Sequence, residues 1–255
     1  MDLQRANTWK RIAAWVLDLM LLGVLAVGSA WGLAVALNYD GYAQTVQAAY
    51  DRYELQYGIE LDMDQATYDA MTPEEQTAYQ ETLDKIEEAL NADEEVKHAY
   101  NMVVNLLLLI VSSGILVATL VLELIIPLIL KNGQTIGKKC FSLCVVRIDG
   151  VKVNNMQMFA RTVLGKYTIE KMIPVYIIIM LLWGTMGLTG TLMLLILLVT
   201  QIICVAVGQN RAAIHDRLAG TVVVDIASQQ IFDSTEDRIA YIKQIHEDQA
   251  RKQTY

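Results

Sequence analysis

The sequence has little cysteine, little charge and no excess of basic residues. Three cysteines among 255 residues are too few, and odd in number, for a disulfide scaffold. Charged residues make up 19% of the chain and apolar residues 54%, which excludes an intrinsically disordered protein. A formal net charge of −8 disfavours nucleic acid as a partner. What remains is an integral membrane protein, whose first partner is the lipid bilayer.

Three long apolar runs supply the candidate crossings. A spanning helix needs roughly 20 mainly apolar residues, and the runs 12–37 and 102–130 each provide one. The third run, 173–207, is too long for one straight crossing, and its Gly184–Gly190 segment suits a turn. We interpret it as a helical hairpin, which makes four crossings. The competing interpretation has three crossings, a segment on the membrane surface and an external tail.

The charge of the connecting segments predicts the orientation. Cytoplasmic loops of membrane proteins carry an excess of Lys and Arg. Residues 1–11 have a net charge of +2 and residues 131–171 a net charge of +6, whereas residues 39–100 carry three bases against sixteen acids. We therefore expect both termini and the 131–171 loop in the cytoplasm. The 39–100 segment is expected outside.

The predicted fold is an all-α membrane protein. It combines a four-crossing helical bundle with a small cytoplasmic antiparallel β-sheet and an extracytoplasmic helical insertion. The predicted segments in chain order are the N-terminus and first transmembrane helix (1–37), the acidic insertion (38–101), the second transmembrane helix (102–130), the basic loop with a β-hairpin (131–172), the transmembrane hairpin (173–207), a cytoplasmic motif and strand (208–226) and a helical tail (227–255).

Local patterns support the three segments outside the membrane. Thr72, Pro73 and Glu75 form the pattern of a capped helix start in the insertion. Two β-rich runs flank Asp149-Gly150, which predicts a hairpin, and Thr221–Asp225 is a third β-rich run on the same side. In the tail, Ser234 and Asp237 have the spacing of another capping box.

Two carboxylates and an amide lie within the apolar runs. An ionisable side chain inside a spanning helix costs roughly 2.5–3.5 kcal/mol and is a functional hypothesis by default. Asp18 and Glu123 each lie about 10 to 12 Å from the cytoplasmic end of their helices, at 1.5 Å per residue, so they share one level. Gln201 is a third candidate at that level. One hypothesis makes Asp18, Glu123 and Gln201 an ion or proton site, and the other gives the carboxylates basic partners in a structural network.

Three stretches of the sequence resemble the RDD family of bacterial membrane proteins, which is named for one Arg and two Asp. The first is RIAAWVLD, from Arg11 to Asp18, and the second is NGQTIGKK, from Asn132 to Lys139. The third is NRAAIHDRLAGT, which holds Asp216. The resemblance implies a multi-pass protein of the bacterial cytoplasmic membrane, and some relatives have been linked to ion or solute transport. The acidic insertion lies outside the resembling stretches.

From these residues we expect a structural network of Arg11, Asp18, Asp216 and Arg217 that clamps the first helix to the last. Because Asp18 is deeper, we expect Asp18→Ala to destabilise the protein more than Asp216→Ala. The sequence has no pattern of a catalytic triad or metal-binding motif, so we expect no enzyme, no cofactor and no metal site.

Two functional hypotheses follow. The first is transport of a small cation, proton or solute that uses the intramembrane carboxylates. The alternative is a non-catalytic membrane partner or accessory subunit that acts on a membrane or extracytoplasmic protein through its acidic outer helices and its tail. A homo-oligomer is compatible with both.

Overall fold

The computed structural model describes residues 6–207, 212–228 and 230–253, and these residues are mainly helical. Asn210 and Arg211 of the third motif, and Arg5 of the basic N-terminus, lie outside the described residues. The chain divides into two compact units. The first contains residues up to Val27 together with those from Ile115 onward, and the second is Gly28–Gly114.

Three of the described helices are long and apolar enough to cross a membrane. They are α1 (Thr8–Ala36), the continuous helix Glu94–Leu130, and Gly187–Ala206 within α10 (Gly187–Val207). The first two contain the predicted runs and therefore support the first two crossings. The helix Glu94–Leu130 has three parts, listed here in order: α5 (Glu94–Thr119), a π-helical segment (Leu120–Ile125) and α6 (Ile126–Leu130).

The third apolar run forms two helices of unequal length. The chain turns at residues 183–186, between α9 (Ile173–Leu182) and α10, near the start of the predicted turn. Gly184 has a φ of 69°, a conformation that glycine adopts without strain. With ten residues, α9 is about 15 Å long and too short to cross alone. It continues α8 (Asn155–Phe159) and a π-helical segment (Ala160–Met172), so the four-crossing interpretation stays a prediction.

A two-stranded antiparallel sheet joins the two halves of the first unit. Strand β1 (Leu143–Arg147) pairs with β2 (Thr221–Asp225), with Val145 opposite Val223, and this confirms the predicted antiparallel sheet. The turn at Asp149-Gly150 forms, but the second arm of the predicted hairpin makes only single bridges, including Val146 with Lys152. The valine-rich strand β2 instead pairs with β1 along its full length. Within β1, burial raises the pKa of the Cys144 thiol to about 12, as expected of an inert cysteine.

Three short or peripheral helices complete the first unit. They are α7 (Ile136–Cys140), α11 (Ile214–Ala219) and α12 (Thr235–Gln253). A short 3₁₀ turn, Ile226–Ser228, follows β2. At the start of α12, the Asp237 N–H donates to Ser234 Oγ (3.0 Å) and the Ser234 N–H donates to Asp237 Oδ2 (3.1 Å), which confirms the predicted capping box.

The acidic segment is helical, as predicted. It forms α2 (Tyr39–Tyr57), α3 (Gln65–Asp69) and α4 (Pro73–Ala92), followed by the start of α5. The predicted capping box at Thr72 is present, with both of its hydrogen bonds to Glu75. A small apolar core holds these helices together and contains Val46, Ala49, Tyr53, Ile86, Val96 and Ala99. Because most of its carboxylates remain exposed, the segment presents its negative charge to solvent.

Candidate functional site

Asp18 is held by the short helix α7. The Thr135 hydroxyl donates to Asp18 Oδ2 (2.5 Å), and the Gly137 backbone N–H donates to Oδ1 (2.7 Å). A Cβ atom on Gly137 would lie 2.2 Å from the Ala14 carbonyl oxygen, so only glycine allows this backbone-to-backbone approach. The second motif of the sequence therefore serves to dock α7 on α1, and Asp18 is the acceptor that fixes it there.

Lys138 is the nearest base to Asp18. Its Nζ lies 3.7 Å from Asp18 Oδ2 and donates to Thr135 Oγ1 at 3.2 Å. Burial, with the positive charges of Lys166 and Arg161, lowers the pKa of the Lys138 ammonium to about 7, and the opposing effect of Asp18 and Glu123 is smaller. Lys138 therefore stands near the midpoint of its titration at neutral pH.

Glu123 accepts a lysine on each carboxylate oxygen. Lys166 Nζ donates to Oε1 and Lys171 Nζ donates to Oε2, both at 2.6 Å. The backbone carbonyl of Glu123 also has an unusual hydrogen-bond partner. Pro127 has no N–H to donate to the carbonyl four residues earlier, and the Thr162 hydroxyl donates to that Glu123 carbonyl instead (2.9 Å). Pro127 therefore interrupts the helical hydrogen bonding, and the hydroxyl of a neighbouring helix compensates for the lost bond.

Asp216 forms the most buried ion pair. Arg161 donates to its Oδ1 through both Nε and Nη2, each at 2.8 Å, and both side chains are 1% exposed. The Thr221 hydroxyl adds a third donor at 3.1 Å. Burial by itself raises the pKa of this carboxyl, but the charge and hydrogen bonds of Arg161, with a further contribution from Arg11, outweigh burial and hold the pKa of Asp216 well below its usual range.

Glu170 binds His215, and Gln201 binds Glu170 and the backbone next to His215. The Gln201 amide donates to Glu170 Oε1, and its own oxygen accepts the Ile214 N–H, both at 3.2 Å. His215 Nδ1 lies 2.8 Å from both oxygens of Glu170. Burial lowers the pKa of the His215 imidazole, which favours the neutral ring. A Cβ atom on Gly165 would lie 2.5 Å from the His215 Cβ atom, so Gly165 lets α11 approach the π-helical segment.

These contacts correct the network expected from the sequence. The ion-pair partner of Asp216 at 2.8 Å is Arg161, and Arg11 contributes to its electrostatics. Arg217 donates to the Cys204 and Ala212 carbonyls, so it stabilises the end of α10 and not a carboxylate. The ion pair that holds Asp216 therefore comes from the helix that contains 160–172. The sequence interpretation places the bases of that segment in a cytoplasmic loop.

A spacing of five residues was the missed signal. Arg161, Lys166 and Lys171 recur every five residues. In an α-helix this spacing spreads side chains around the axis, but the segment Ala160–Met172 is π-helical, with i→i+5 hydrogen bonds. The three bases consequently point to one side. Pro127 and Pro174, each just beyond a π-helical segment, mark the same two places in the sequence.

Except for Arg217, all the predicted site candidates line one cavity of about 1020 Å³ in the first unit. Its apolar walls come from α1 and α10. Its charged lining, which we name the charge cluster, contains five bases and four acids: Arg11, Lys138, Arg161, Lys166, Lys171, Asp18, Glu123, Glu170 and Asp216. Gln201 and His215 also face the cavity. Within the described part of the chain, no group of three or more His, Cys, Asp and Glu side chains is placed to hold a metal ion.

Comparison with known proteins gives a family and no individual relative. Searches of curated proteins and of solved structures find no match. The model of the RDD family matches residues 5–220, which include the helices α1, α5, α9 and α10 and the whole charge cluster. This chain therefore belongs to the RDD family.

Proposed function

We propose that this protein transports a small solute or ion across a membrane through the cavity, with a proton as the coupled species. The observation that carries the proposal is Glu123, whose two oxygens hold two ammonium groups at the edge of a cavity large enough for a substrate. Buried charges of this kind are expensive within a membrane and mark substrate or proton pathways there. Two π-helical segments beside the cavity support the same function, since such segments occur frequently at functional sites.

The two ammonium groups on Glu123 indicate which species is transported. Lys166 and Lys171 occupy the positions that a metal cation would take on Glu123. A cation that enters must displace a lysine, and a displaced ammonium in a low-dielectric site tends to lose its proton. An anionic solute instead adds negative charge near the bases and favours their protonation. In either case, movement of the substrate is coupled to a proton.

Flux through purified protein in lipid vesicles tests this function. We expect an imposed gradient of substrate to move protons, measured with an internal pH-sensitive dye. Asp18→Asn and Glu123→Gln should each lower this flux by at least about tenfold, in the range that a positioned proton-transfer group contributes. Asp233→Asn, which changes an exposed carboxylate, is the matched control. Flux that is unchanged in both Asp18→Asn and Glu123→Gln would contradict the assignment of the site.

We propose four crossings with both termini in the cytoplasm of a bacterium. Lys138, Arg161, Lys166 and Lys171 belong to the buried charge cluster, yet the rest of 131–171 still has more bases than acids, which supports a cytoplasmic loop. Single cysteines at Thr185 and Tyr241, in a variant without the native cysteines, test the proposal with an impermeant thiol reagent. Four crossings predict labelling at 185 from outside and protection at 241. Three crossings predict the reverse.

The accessory-subunit function rests on the acidic segment. Its helices fold around their own apolar core, so the exposed carboxylates form a fixed surface that a basic partner protein recognises. Deletion of 40–98 separates the two functions. A transporter retains flux in vesicles after this deletion, whereas an accessory subunit loses its reproducible crosslinks in native membranes. Retained flux with no crosslinked partner in the intact protein removes the accessory function.

A further inference from the structure

The cavity is larger and more apolar than a small ion requires. A water molecule occupies about 30 Å³ in the liquid, while sites for organic ligands range from roughly 300 to 1,000 Å³. At about 1020 Å³ this cavity lies at the upper end of that range. Its walls include Trp15 and Leu19 of α1 and Leu194 and Leu198 of α10. These walls suit a hydrocarbon chain.

The charge cluster has one base more than it has acids. Lys166 and Lys171 share the single carboxylate of Glu123. The partners of Glu170 are His215, which burial keeps neutral, and the amide of Gln201. When Lys138 is protonated, the cluster as a whole is therefore complementary to one negative charge.

Lys138 is held more loosely than Arg161, Lys166 and Lys171. Its distance to Asp18, 3.7 Å, exceeds the 2.6–2.8 Å of the Glu123 and Asp216 ion pairs. Thr135 and the Gly137 N–H already donate to the two oxygens of Asp18. Lys138 is also buried beside further positive charge, since Lys166 and Arg161 lower its pKa. An anion next to Lys138 would relieve this repulsion and accept a hydrogen bond from its ammonium.

We propose that the cavity binds a single-chain amphipathic carboxylate, with its charged head beside Lys138 and Lys166 and its hydrocarbon chain between α1 and α10. This inference names the substrate class of the proposed transport function. It rests on that function only for the transport of the bound carboxylate across the membrane, and not for the binding itself. Charge complementarity selects an anion with one negative charge, and the apolar walls select a hydrocarbon chain.

Saturable binding of radiolabelled decanoate to the full-length protein tests the inference. The protein is placed in nanodiscs of zwitterionic lipid, and decanol and decylamine serve as neutral and cationic competitors of the same chain length. We expect decanol to compete at least about tenfold more weakly than decanoate, because it lacks the charge-assisted hydrogen bond. Absence of saturable binding, or stronger competition by decylamine, overturns the proposal.

Two pairs of variants locate the site. Lys138→Gln should weaken decanoate binding by about tenfold or more, whereas Lys139→Gln changes an exposed neighbour and should leave it unchanged. Leu194→Trp narrows the space between α1 and α10 and should weaken binding by about tenfold or more, while Leu195→Trp alters the adjacent residue of α10, which does not line the cavity. Equal effects within both pairs contradict the site.

Three outcomes separate this inference from the proposed function. Decanoate binding without flux supports the inference and contradicts transport. Proton-coupled flux of Na⁺ or K⁺ without decanoate binding supports transport and overturns the inference. Complete loss of decanoate binding in nanodiscs that contain phosphatidylglycerol identifies a two-chain phospholipid as the occupant and also overturns the inference.

Discussion

Two ion pairs of nearly equal length behave differently because they differ in burial. Arg52 and Asp93, in the acidic segment, are 2.9 Å apart, and their side chains are 56% and 28% exposed. Arg161 and Asp216, in the charge cluster, are 2.8 Å apart and 1% exposed. Water solvates the first pair if it separates, whereas separation of the second pair leaves a charge without solvent. The acidic segment can therefore tolerate an imbalance of charge, and the charge cluster requires nearly every charge to have a partner.

The largest effect is expected from removal of Asp216. Asp216→Ala strands the buried Arg161 guanidinium and should lower the free energy of unfolding by about 3–5 kcal/mol. Asp18→Ala should cost less, because its nearest base, Lys138, has a pKa of about 7 and can lose its proton. This order reverses the one expected from depth in the helix. Thermal unfolding of both variants in the same nanodiscs measures it, and a larger loss in Asp18→Ala would contradict the charge cluster described above.

Gly137 tests how α7 holds Asp18. Gly137→Ala places a methyl group 2.2 Å from the Ala14 carbonyl oxygen, and neither backbone can move cheaply. We expect a loss of about 1–3 kcal/mol, as for other overpacked positions. Gly23→Ala in α1 is the matched control, since a Cβ there has no neighbour within 4 Å. Denaturant unfolding checks both variants, and equal stability of the two would rule out the close contact.

Lys138 gives the stability of the charge cluster a pH dependence at neutral to alkaline pH. Its pKa is about 7 in the folded protein and about 10.4 in an unfolded chain. Between these values the unfolded chain binds more protons, so this group makes stability rise as the pH increases from about 7 to about 10. Lys138→Met should remove that rise, and Lys139→Met should keep it. The slope of the unfolding temperature against pH is the measurement, and the same slope in Lys138→Met and the wild type would refute the effect.

The smallest effect is expected at the exposed pair. Arg52→Ala should leave the unfolding temperature unchanged within error, because water replaces the contact with Asp93. Arg161→Ala is the matched comparison at equal distance. A clear loss of stability in Arg52→Ala would mean that burial does not explain the difference between the two pairs.

Much of the fold follows from local sequence signals. Apolar runs predict α1 and the helix Glu94–Leu130, and the capping boxes at Thr72 and Ser234 predict two helix starts, because these features depend only on nearby residues. The strand Thr221–Asp225 is also visible as a β-rich run. The antiparallel pairing of this strand with Leu143–Arg147 follows from placing both on one side of the membrane.

The ion-pair partners within the charge cluster could not be predicted from local sequence signals. Asp18, Glu123 and Gln201 stand out because they are polar within apolar runs, and all three line the cavity. The two lysines on Glu123 and the Glu170 carboxylate beside Gln201 lie on a π-helical segment, whose five-residue periodicity is not the one that helical sequence patterns assume. The sequence therefore predicts a cytoplasmic loop for Arg161 and Lys166, and the structure buries both.

The central claim is that the surplus base of the charge cluster serves transport and not stability. Lys166→Met tests it most directly, because Glu123 keeps Lys171 at 2.6 Å and the remaining four bases balance four acids. Thermal unfolding and proton-coupled flux are measured on the same preparation. We predict an unfolding temperature within a few degrees of the wild type and flux reduced by at least about tenfold. A folded Lys166→Met protein with wild-type flux would contradict the claim.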